Sequence, residues 1–88
     1  MSEFTIVGHL MEEPIENIET GEVELKVNIS KSNANVVVKT RDILADNAIR
    51  YGDVEQLVGI RGYFEDNNQL VAEKITLIKT RKMVEHNG

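Results

Sequence analysis

From Lys26 to Arg41 the chain carries four bases and no acid. Lys26 and Asn28 share a parity in one strand-like stretch, and Lys39 and Arg41 share one in the next. Further on, Arg61 and Tyr63 alternate in the same way around Gly62. Such residues suit a single-stranded polyanion, because cations take phosphates and an aromatic face stacks a base. One stacked base contributes about 1–3 kcal/mol, so a single tyrosine implies modest affinity. Lys26, Asn28, Lys39, Arg41, Arg61 and Tyr63 are therefore the candidate nucleic-acid-binding residues. The competing account is that the cations keep an exposed sheet soluble and its edges unpaired.

The net charge is −5, which repels a phosphate backbone on average. Its distribution is segregated, with seven acids and no Lys or Arg between Met1 and Leu25. A chain so divided can present a basic stripe despite an acidic total. The acidic third is then expected to keep nucleic acid off its own side. Both runs also suit plain solvated strand faces and loops.

Catalysis finds no support in the spacing. His9 and His86 stand in no ligand pattern such as H-E-x-x-H. No serine sits in a nucleophile elbow, and no glycine-rich phosphate loop is present. Glu13, Glu16, Glu19 and Glu22 recur every three residues, without the looped pattern that wraps calcium. The chain has no cysteine, so disulfides and thiolate metal sites are excluded. No catalytic residue, metal or cofactor is expected.

The elements that must position the candidates follow from periodicity. "FTIVGHLM" turns Phe4, Ile6, Gly8 and Leu10 to one face and reads as a first strand. "EEPIENIETGE" reads as an extended connection, ahead of a short helical turn. "VELKVNISK" turns Val23, Leu25, Val27 and Ile29 inward, and "VVVKTR" does so with Val36 and Val38. Val37 is then apolar on the outer face and asks for a covering partner or loop. "DILADNAIRYG" predicts a short helix capped by Asp42, with Leu44, Ala45, Ala48 and Ile49 on its buried face and Gly52 left-handed after its end. "VEQLVGIRGYFE" and "LVAEKITLI" are the fourth and fifth strands. The phase of the fifth slips near Glu73 and Lys74, which predicts a bulge.

Three strands, a helix and two strands leave exposed edges unless the sheet closes. Gly8, Gly59 and Gly62 are read as bends that let it do so. The expected fold is all-β with one short helix, a five-stranded OB-fold barrel. The domain is placed at 1–80, and 81–88 is expected to be a disordered tail. A chain this short buries a small core.

"VGHLMEEP" followed by "TGEVELKVNIS" resembles the opening of bacterial single-stranded-DNA-binding proteins, with Gly8, Leu10, Pro14 and Gly21 at the family's positions. "LADNAIRYGD" resembles that family's helix, "GIRGYFED" its fourth strand with Gly62 at the glycine, and "LVAEKITLI" its closing strand. The resemblance runs from about residue 4 to 78. Primosomal replication protein N, a dimeric relative, is similar in size. The chain departs from the family in having no Trp, in Tyr63 as its outward aromatic, and in lacking the Gly/Pro-rich linker with an acidic tip. The resemblance implies a DNA replication or repair accessory that binds single-stranded DNA or RNA, with replication proteins as partners. The alternative is an OB-fold interaction module that has lost nucleic-acid binding. Val37 and the small core predict a homodimer or higher homo-oligomer through strand one or strand three. With no signal-like leader and no long apolar run, a cytoplasmic location without membrane contact is expected.

Overall fold

Alternating apolar and polar side chains give strands with one dry face. A computed structural model describes residues 2–78. They form β1 (Glu3–Leu10), β2 (Ile15–Glu16), β3 (Val23–Ile29), β4 (Ala34–Thr40), α1 (Asp42–Tyr51), β5 (Leu57–Glu65) and β6 (Gln69–Ile78). The proposed tail lies outside the described residues. The connection from β1 to β3 is extended only in part: it adds the two-residue β2 to the edge of β3 and then closes in a tight turn, in which the Gly21 N–H donates to the Asn17 carbonyl at 2.8 Å.

The sheet order is β1-β5-β6-β4-β3-β2, and β1 also pairs with β3, so five strands close into a barrel. The β4–β6 pairing is parallel and the others are antiparallel. Leu10, Val23, Leu25, Val27, Val38, Val58 and Ile60 fill the interior, and Ala45 and Ala48 of α1 join them. Thr40 is buried among these groups, and its hydroxyl donates to the Val23 carbonyl at 2.9 Å. That bond satisfies a polar group that would otherwise be costly to bury.

Gly62 marks the bulge. Arg61 faces Lys74 across the ladder while Gly62 faces Ala72, so Glu73 is the extra residue at the predicted slip. A side chain at Gly62 would run into the Val71 carbonyl, and one at Gly8 into the Asn28 carbonyl. Gly59 is different: it sits in regular pairing with no register shift, and a Cβ there would meet nothing within 4 Å.

The helix lies where its sequence predicts, but three details change. Its N-cap is Arg41, in extended conformation and without a side-chain capping bond, not Asp42. Asp42 instead takes a left-handed backbone (φ 55°), which Asp tolerates better than most residues. Gly52 is extended rather than left-handed. Ile49 is 46% exposed; the helix docks closely through its two alanines, which leaves the larger Ile49 at the rim.

Candidate nucleic-acid interface

Cross-strand register fixes which outer side chains are neighbours. One row crosses the barrel as Glu24, Lys39, Val71, Tyr63 and Glu3. On the β3–β4 side the next rows are Lys26 beside Val37, then Asn28 beside Asn35. On the other side the next row is Thr5, Arg61 and Lys74. The six candidates thus divide into two groups. Lys26, Asn28, Lys39 and Arg41 belong to β3, β4 and the start of α1, whereas Arg61 and Tyr63 belong to β5. Tyr63 and Lys39 share a row, with buried Val71 between them.

The acidic third does not keep to its own side. It folds over the basic run: Lys26 Nζ lies 3.5 Å from Glu12 and Lys39 Nζ 3.8 Å from Glu22. Arg41 donates from Nε to Glu22 at 2.6 Å, and from its two Nη atoms to Glu65 at 2.7 and 2.8 Å. These bonds hold the Arg41 guanidinium well above its ordinary pKa, first through Glu65 and then through Glu22. The same hydrogen bonds from Arg41 lower the Glu22 and Glu65 carboxyls below the usual range, against a smaller opposing effect of burial. The Asn28 amide is engaged as well, donating to Asn33 at 3.1 Å and Asn35 at 2.8 Å across the hairpin turn.

Arg61 stands apart. Among the described residues no carboxylate lies within ion-pair distance of it or of Lys74 beside it. Tyr63 is half-buried one row away. Lys74 was outside the sequence-derived set because the bulge reverses its parity. The slip at Glu73, once read as a bulge, is the signal that could have placed it beside Arg61. His9 pairs with Ser30, Nδ1 to Oγ at 3.3 Å, and no cluster of metal-binding side chains occurs among the described residues.

A five-stranded closed barrel with a helix between the third and fourth long strands is an OB-fold. Solved structures share it at low sequence identity. The single-stranded DNA binding protein of Thermus aquaticus superposes with a TM-score of 0.77 at 14% identity, over 91% of this chain and 41% of that one. The mitochondrial single-stranded DNA binding protein Rim1 of S. cerevisiae does so with 0.76 at 16% identity, over 90% of this chain and 96% of that one. TiaS, in its complex with a tRNA, AMPCPP and agmatine, matches with 0.72 at 19% identity, over 88% of this chain but 19% of its own length. The chain therefore spans less than half of the Thermus protein. No family model matches the chain, and no curated protein matches it. No described helix is long and apolar enough to cross a membrane.

Proposed function

We propose that this chain is a non-enzymatic binder of single-stranded nucleic acid, serving DNA replication or repair. The observation that carries the reading is the placement of Tyr63. It lies in one cross-strand row with Lys39 and next along β5 to Arg61, which has no acidic partner among the described residues. Tyr63 has Val71 and Glu3 as its direct row neighbours, and an aromatic with a free cation next along its own strand suits a base and the adjoining phosphate. The likeness to two single-stranded DNA binding proteins supports it.

Anisotropy of a labelled thirty-base oligo-dT at two salt concentrations tests it. Affinity is expected to fall with salt by about 0.7 log units per phosphate contact per log of salt. Arg61→Ala should reduce that slope by one contact, because cations read the backbone. Tyr63→Leu should weaken binding with the slope unchanged, because it removes stacking. Absence of binding at low salt and high micromolar protein overturns the reading.

In that event an interaction module is the better account. The observation favouring it is that Lys26, Lys39 and Arg41 each face a carboxylate. Self-association goes with either reading. β3 takes only Gly8, His9 and Leu10 of β1, which leaves one edge of the first half of β1 without a partner strand among the described residues. Val37 is 39% exposed on the outer face of β4. An open edge and an apolar outer residue both favour a second copy. Light scattering is expected to give at least a dimer mass, and a monomer unaffected by Val37→Lys refutes it.

A further inference from the structure

Neither a close contact nor a left-handed backbone requires glycine at position 59. A Cβ built there meets nothing within 4 Å, its φ is not left-handed, and glycine inside a strand weakens it. Its surroundings supply another reason. Across β1, β5 and β6 the outer face forms a small grid, with Val7, Gly59 and Thr76 in one row and Thr5, Arg61 and Lys74 in the next. The missing side chain makes Gly59 the floor of an open groove of about 210 Å³ lined by these residues, with no acidic side chain among them. Val7 is 51% exposed at its wall. Arg61 and Lys74 stand directly opposite each other, and like charges so placed destabilise a sheet. No described carboxylate relieves them.

We propose that this groove is a nucleotide subsite for the single-stranded chain. The Arg61–Lys74 pair takes one phosphate, and the flat sugar and base lie over Gly59 against Val7, with the Thr5 and Thr76 hydroxyls at the sides. The anion cancels a repulsion that the empty sheet carries, and the glycine lets a planar group reach the backbone. The proposal rests on the single-stranded reading and extends it by one subsite beyond Tyr63.

Gly59→Val tests it directly. A β-branched residue suits a strand, and the open space admits it, so the variant should melt no lower than wild type. Its affinity for thirty-base oligo-dT should nevertheless fall at least tenfold. Lys74→Ala should weaken binding and reduce the salt slope by about 0.7. Amide shifts in wild type on adding oligo-dT should include Gly59, Lys74 and Thr76, a readout that holds even if Gly59→Val fails to fold. If wild type binds oligo-dT while Gly59→Val binds equally well, or while the shifts stay on β3 and β4, the subsite is wrong and the general reading stands. If wild type does not bind, the general reading falls and the subsite with it.

Discussion

Arg41 grips Glu65 with both Nη atoms, at 2.7 and 2.8 Å, while its Nε holds Glu22. Glu22 leads into β3, Glu65 ends β5, and Arg41 links β4 to α1. One side chain thus ties together three places far apart in the chain. Isolated surface pairs contribute little, but a bidentate pair joined to a second carboxylate has the geometry that does count.

This network should make stability pH-dependent on the acid side. Both carboxyls have folded-state pKa values below the ordinary 4.5. A depressed carboxyl contributes stability that is fully present above its unfolded value and is lost as pH falls through the folded one. The melting-temperature gap between wild type and Glu65→Gln should therefore be constant from neutral pH down to about pH 5 and close below pH 4.5. A gap that persists unchanged at pH 2 contradicts the assignment.

Carboxylates that cover cations also compete with phosphate. Glu22→Gln frees Lys39 and part of Arg41, so oligo-dT binding at low salt should tighten, by about fivefold at most because exposed pairs are weak. Glu12→Gln should act likewise through Lys26. The gain should vanish at high salt, where such pairs are screened. Titration of both variants at two salt concentrations checks this.

The glycines should divide by what a methyl group meets. Gly62→Ala drives a Cβ into the Val71 carbonyl, so a loss of at least about 1–3 kcal/mol is expected, as for overpacked sites. Gly59→Ala meets nothing and should be neutral or stabilising by up to about 1 kcal/mol. Urea denaturation of the pair measures the contrast.

The core and the helix should differ in cost as well. Leu25 is 2% exposed inside the barrel, and Leu25→Ala should cost about 2–5 kcal/mol. Leu44 on α1 is only half-buried, so Leu44→Ala should cost less than Leu25→Ala. Equal losses would place the helix deeper than its burial indicates.

Most of the strand pattern was legible because a period of two says which face is dry, and the bulge announced itself as a slip in that period. Local sequence could not show that Glu12 returns to cover Lys26, since that depends on how the long connection after β1 is folded back. Glu22 meets Arg41 because the β3–β4 register continues one pair past Val23 and Thr40, which parity within single strands does not reveal. Ile49 was misplaced because periodicity gives a helix its face but not how near small residues let it dock. Lys74 was overlooked for a related reason: parity was not carried through the bulge to a neighbour on another strand.

The barrel is joined along β4 and β6 by two residue pairs, Val38 with Leu70 and Lys39 with Val71. The Gln69 side chain adds one bond to the Val37 carbonyl at 3.3 Å, across 32 residues of chain. The β3–β4 and β5–β6 hairpins have seven and nine pairs over short separations. The β4–β6 joint has the fewest pairs in the ring, so the local hairpins are expected to assemble early and the ring to shut there last. In reverse, that joint is the hatch through which the native barrel first opens, and its amides are the ones that exchange with solvent ahead of the rest of the wall.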